Sequence, residues 1–181
     1  TDTDVDGIYD TIKDMLSEYN ELIKTLDTAY NAESAKGYEP LTDDEKESMS
    51  DDEVEKWETK IKDSLLRNDG TLSSVVSSMK NSMLAGITID GKTYNLSDFG
   101  ISTGSYFSTS TNEKGVYHID GDEDDSTSKG NTDKLKAAIA NDSDTVIKFF
   151  SQLANNLYST LNKKLGTSNS MSSYMSIYND K

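Results

Sequence analysis

His118 is the one imidazole in 181 residues and the natural place to look for proton transfer. It lies beside Tyr117 in an alternating stretch, with no serine or cysteine motif nearby that would make it a general base, so it reads as a surface or partly buried residue. The 33 Asp and Glu side chains are so numerous that some pair falls at acid–base distance by chance. A glycosidase would need two of them held in a cleft with aromatic platforms, and the sequence sets out no such cleft. Asp120, Asp122 and Asp124 have the alternate-oxygen spacing of a calcium loop. Its sixth position, however, is Asp125 where the tight turn needs glycine, and its twelfth is Asn131 rather than glutamate. Those carboxylates should hold calcium only as a diffuse, salt-screened atmosphere. Gly100, Gly104, Gly115 and Gly121 form no phosphate cradle, because none joins a strand to a helix ahead of a Lys-Ser/Thr pair. Zero cysteines remove disulfides, thiolate metal sites and thiol nucleophiles. The sequence therefore points to no catalytic residue, no metal and no cofactor, and the chain is expected not to be an enzyme.

Charge and composition narrow the partners. With 18 basic residues against 33 acidic, and Arg67 as the sole arginine, phosphate neutralisation along a nucleic acid is disfavoured. The same sign argues against anionic membrane surfaces. No apolar run approaches the ~20 residues that cross a bilayer, and no basic-then-apolar leader precedes the first residues, so membrane insertion is not expected. Thr1 is not an initiator, and the chain reads as a piece of a longer one. Only 33% of the residues are hydrophobic in a chain of net charge −15, close to the composition at which disorder begins.

Periodicity restores the expectation of order. Val5, Ile8, Ile12, Met15, Tyr19, Leu22, Leu26 and Ala29 recur at alternating spacings of three and four, a heptad seam. Residues 4–31 should form one helix, with Asp2, Asp4 and Asp6 favourably placed at its positive end. At 1.5 Å per residue, ~28 residues make a rod of roughly 42 Å. Leu16 and Ile23 widen the stripe and suggest more than one packing partner. The segment suits either a long core helix or one strand of a bundle or coiled coil whose other strands lie outside this chain. In the second case Val5, Ile8, Ile12, Met15, Tyr19, Leu22 and Leu26 are the interaction residues, and the partners of Ile12, Tyr19 and Leu26 come partly from elsewhere.

Residues 32–49, with Gly37, Pro40 and an acidic run, read as a loop holding one helical turn. Ser50 followed by Glu53 is a capping box. It opens a helix with Val54, Trp57, Ile61 and Leu65 on its apolar face and 68–70 as its stop. Leu72, Val75, Val76, Met79 and Met83 predict a third helix ending near Gly86. The period then changes to two: Ile87 and Ile89, the Asp90-Gly91 turn, then Tyr94 and Leu96 predict a hairpin. Residues 101–107 and 116–119, around the turn at 112–115, predict a second strand pair, completing an antiparallel sheet of three or four strands. Residues 120–131 are too polar to pack and read as an exposed loop. A short helix over 132–140 follows. Ser143 or Asn141 caps a longer helix faced by Val146, Phe149, Phe150, Leu153, Leu157, Leu161 and Leu165, closed by Gly166. Met171, Tyr174, Met175 and Tyr178 resume helical spacing. The fold class is α+β, mainly α: long helices in a bundle or coiled coil with a small antiparallel β-hairpin sheet.

A series of local motifs, in order, resembles the C-terminal region of the flagellar hook-associated protein 2 family, the filament-capping proteins. It comprises Tyr19-Asn20-Glu21-Leu22, Leu41-Thr42, Met49-Ser50, Glu55-Lys56-Trp57-Glu58 and Leu65-Leu66-Arg67-Asn68-Asp69. It continues with Phe99-Gly100-Ile101-Ser102-Thr103-Gly104, Ile119-Asp120, Lys134-Leu135, Asn141-Asp142, Val146 and Phe149-Phe150. The departure is 121–131, an inserted acidic loop where the family usually passes directly from strand to helix. The resemblance implies a structural protein secreted unfolded through the flagellar export machinery to the extracellular tip of the bacterial flagellum. There it would form a homo-oligomeric ring, promote flagellin assembly and prevent flagellin loss, and so support motility. It also implies that 1–166 is a helical leg domain with a small inserted sheet at about 87–119 and the acidic loop at 120–131. Residues 167–181 would then be a linker and the start of a truncated helix. The alternative is a surface adhesion module that binds mucus or host glycans.

Overall fold

The computed structural model describes residues 3–104, 115–128 and 133–165. Its elements are α1 (Val5–Tyr30), α2 (Asp43–Glu47), α3 (Asp51–Asp63), α4 (Gly70–Leu84), β1 (Ile87–Ile89), β2 (Lys92–Tyr94), a 3₁₀ turn (Leu96–Phe99), β3 (Ile101–Thr103), β4 (Tyr117–Ile119), α5 (Lys134–Asn141) and α6 (Ser143–Leu165). The fold is mainly α with small antiparallel β pairs. The expected turn at 112–115 falls mostly outside the described residues. So do Phe107, the loop end at 129–131, the helix start at Thr132, Gly166 and the segment with Met171, Tyr174, Met175 and Tyr178.

Short polar side chains set most helix starts by accepting orphan N–H groups, which otherwise face away from any intrahelical partner. Asp4 caps α1 and Asp69 caps α4, while Thr42 with Glu45 and Ser50 with Glu53 form complete capping boxes at α2 and α3. At α6 the cap is Asp142, which takes both the backbone N–H (3.1 Å) and the hydroxyl (2.7 Å) of Thr145. Ser143 and Asn141, expected in that role, are inside α6 and at the end of α5.

α4 packs chiefly on α6, and α1 on α5 and α4, so the core lies between the long helices. Leu72, Val75, Val76, Met79 and Met83 of α4 are all buried, as are Val146, Phe149, Phe150 and Leu153 of α6. Phe99 joins helices to strands, with ring centroids 4.8 Å from Phe149, 5.7 Å from Phe150 and 5.8 Å from Tyr94. Gly100 follows in the left-handed region at φ 70°, and a Cβ there would come within 2.8 Å of the Lys134 Cβ. Only glycine therefore lets the turn end and α5 pass so close.

Three expectations change. The strands form two separate two-stranded pairs, β1 with β2 and β3 with β4, rather than one sheet of three or four. In the first pair Asp90 (φ 50°) and Gly91 (φ 83°) make a tight turn of the I′ type, and each pair covers its apolar face with helices instead of with the other pair. The apolar face of α3 contributes nothing to the core: none of its residues is buried, and Leu65 is 61% exposed while its neighbour Leu66 takes the core position. The helix ends at Asp63, so the helical spacing that put Leu65 on the face no longer applies. The acidic loop, expected to stand free, packs back through residue 128. Lys13 of α1 supplies counter-charge to Asp122 and Asp124.

Candidate functional site

Along α1 two heptad rows overlap. Tyr9, Ile12, Leu16, Tyr19, Ile23 and Leu26 are buried against the chain's own core, with Ile23 wholly enclosed. Ile8, Met15 and Leu22 lie one step around the helix, half covered at the edge of that core, while Val5, seven residues before Ile12, extends the buried row into the half-covered first turn. The predicted seam thus divides: Ile12, Tyr19, Leu26 and Ala29 have their neighbours within this chain, while Ile8, Met15 and Leu22 keep an open side. Leu16 and Ile23, which widened the predicted stripe, are the residues that turn α1 toward the interior. The predicted seam and the buried stripe share Ile12, Tyr19 and Leu26, because residues seven apart return to nearly the same side of a helix with 3.6 residues per turn.

The open row begins at a groove of about 390 Å³, walled by Gly7, Ile8 and Ile12 of α1 and by Ile147 and Phe150 of α6. Ile147 is 44% exposed there. Farther along α6, Leu157, Leu161 and Leu165 are half buried and Tyr158 is 64% exposed. Within the buried row, the Tyr19 hydroxyl is enclosed with no hydrogen-bond partner among the described residues. Burial, reinforced by Tyr117 and Asp27, raises the pKa of that phenol well above its ordinary value.

A polar cleft flanks the other side of α1. The Asn20 side-chain amide pairs with the backbone of β4 as a strand would, donating to the Tyr117 carbonyl (2.9 Å) and accepting the Tyr117 N–H (2.8 Å). Lys13 donates to Asp122 (2.9 Å) and Asp124 (2.8 Å), tying the acidic loop to the helix. The hydrogen bonds to Asp124 and then Asp122 raise the pKa of the ammonium, and Lys13 in turn holds Asp124 below the usual carboxylate range. His118 Nδ1 lies 2.5 Å from Asp125, and Ser128 donates to the Ile119 carbonyl. Burial pushes Asp125 up, but the hydrogen bonds from Thr127 and His118 outweigh it and leave the carboxyl lowered.

Thr127, His118 and Asp125 are hydroxyl, imidazole and carboxylate in one cluster, yet they are not wired for proton relay. The Thr127 hydroxyl donates to Asp125 (2.7 Å) and meets the same His118 nitrogen, Nδ1, that faces the carboxylate. A relay sets nucleophile and orienting carboxylate on opposite ring nitrogens. The cluster fastens the loop. The spacing of the aspartates left this legible only in part, because the clasp depends on Lys13, more than 100 residues away in sequence.

The family described as flagellar hook-associated protein 2 C-terminus matches the chain over residues 1–181. Flagellar hook-associated protein 2 of Halalkalibacterium halodurans is 26% identical over 166 residues, which cover 92% of this chain. They cover 28% of that relative, so the chain spans little more than a quarter of its length. No solved structure matches the chain.

Proposed function

The chain belongs to the flagellar hook-associated protein 2 C-terminus family, and from that membership we propose that it is the leg of a structural filament cap at the distal tip of the bacterial flagellum. In this reading the cap promotes flagellin assembly and prevents flagellin loss, outside the cell and without catalysis. Its partners are further copies of itself in a ring, flagellin, and the export machinery that delivers it. The observation that carries the reading, beyond the family, is the half-covered row Ile8, Met15 and Leu22 on a helix whose neighbouring row is buried. An apolar heptad row left open along α1 suits a leg that binds segments supplied by the rest of the protein. Ile12, Tyr19 and Leu26, the other members of the expected seam, hold the helix against this chain's own core. The absence of cysteine and the single proline favour passage through a channel as an extended chain, with no cross-link and little slow isomerisation to undo.

Gene deletion tests the reading. Loss of filaments, with flagellin monomers released into the medium and restored by the wild-type gene, is expected. Normal filaments with no flagellin released would overturn it, and normal filaments with reduced surface attachment would favour adhesion instead.

A further inference from the structure

In the β3–β4 pair Ile101 stands opposite Ile119, Ser102 opposite His118 and Thr103 opposite Tyr117. The Asp120 N–H donates to the Gly100 carbonyl (2.8 Å), which marks that position as a hydrogen-bonded one. Hydrogen-bonded and non-hydrogen-bonded positions alternate along an antiparallel pair, so Ser102 and His118 bond to each other. The backbone groups of Tyr117 and Ile119 therefore point away from β3, along the outer edge of β4. A bare strand edge is a template for any extended segment that reaches it, and strand addition to such an edge is a common way of binding one. This edge borders a cleft of about 400 Å³, with Lys13, Leu16, Ser17 and Asn20 of α1 on the facing wall.

The chain itself already fills the places such a segment would use. The Asn20 amide takes both outward groups of Tyr117, the carbonyl and the N–H. The Ile119 carbonyl accepts from the Ser128 hydroxyl and from the Asp122 N–H (3.2 Å). Asp122 and Ser128 belong to the acidic loop, which Lys13 holds through Asp122 and Asp124. Lys13 and Asn20 are seven residues apart and so lie on one side of α1. Holding β4 against the helices needs no such polar fastening, because Tyr117 and Ile119 are buried in the core by their side chains. A side-chain amide that spans both groups of one edge residue does what a third strand would do. We propose that Asn20 and the acidic loop are an edge guard, which closes β4 to the addition of an extended segment as a third strand. The carboxylates of the loop add to it, because charge beside a strand edge opposes pairing. The guard stands apart from the filament-cap reading and does not depend on it.

Amide exchange and thioflavin T fluorescence of the full-length protein test it, because the dye reports stacked strands and not ordinary association. Asn20→Leu keeps the length of the side chain and removes both hydrogen bonds. Exchange at the Tyr117 N–H should then rise several-fold, while the His118 N–H, which faces β3, keeps its protection. Combined with Lys13→Met, the substitution should leave the helical circular dichroism unchanged and give thioflavin-positive material several-fold faster than the wild type. Asn20→Asp, which still accepts the Tyr117 N–H, should fall between. The control is Val75→Ala, which thins the core on α4, compared at the temperature where both variants are equally folded. Equal rates for the two, or no gain over the wild type with the helices intact, would overturn the proposal. Should Asn20→Leu not fold, Lys13→Met with Ser128→Ala opens the Ile119 end alone. A rate no faster than that of the Val75→Ala control would then overturn it, and a faster one would support it.

Discussion

Leu22 and Ile23 are adjacent in sequence but stand on different rows of α1, which makes them a matched pair for testing the open seam. Ile23 is wholly enclosed. Ile23→Ala removes its contacts and leaves a void, at a cost of about 2–5 kcal/mol. Leu22 is half covered. Leu22→Ala in the 181-residue chain loses only part of the transfer free energy, and water fills the space, so the cost is about 1 kcal/mol. In the full-length protein, with the row covered by another segment, the same substitution should rise to about 2–4 kcal/mol. The contrast, about 1–3 kcal/mol between contexts for Leu22 and none for Ile23, exceeds the error of a urea melt followed by circular dichroism. Equal costs for Leu22→Ala in both contexts would show that the row has no partner and that the seam is only the rim of a self-contained core. A context-dependent Ile23→Ala would show instead that the core itself is incomplete.

Tyr19→Phe removes a buried hydroxyl that has no partner among the described residues, and should leave the chain as stable as before or up to about 1 kcal/mol more so by thermal melting. A clear loss would mean that the hydroxyl is bonded. Lys13→Met should free residues 120–128, raising amide hydrogen exchange there while costing the whole fold only about 1 kcal/mol. The same clasp should resist neutral pH and fail in acid. Asp124 and Asp125 have folded pKa values below their ordinary 3.8, so their contribution is present above that value and is lost as pH falls through the lowered one. Lys13, with its raised pKa, keeps its contribution at and below its ordinary 10.5 and loses it only as pH climbs through the folded value. Loop release near pH 6, read by the same exchange experiment, would contradict this. Gly100→Ala places a Cβ within 2.8 Å of Lys134 at a positive φ and should destabilise by about 1–3 kcal/mol in a urea melt. A neutral result would mean that α5 is free to move away.

The sequence by itself determined what depends on near neighbours along the chain. Helix starts at Asp4 and Ser50, the Asp90-Gly91 turn and the apolar faces of α4 and α6 were all legible, because capping, turn geometry and the helical period are local properties, whereas Asp69, read as part of a helix stop, also caps α4. The order of motifs was also enough to suggest the family. Distance along the chain hid the rest. Which of two overlapping heptad rows faces inward depends on where α4, α5 and α6 stand, so Leu16 and Ile23 could not be ranked above Met15 and Leu22 beforehand. The acidic loop looked too charged to pack because its counter-ion, Lys13, comes from α1, and Leu65 and Leu66 exchanged places because α3 stops at Asp63. Only the tertiary structure decided these, since burial and ion pairing are set by elements brought together across the fold rather than by the residues on either side.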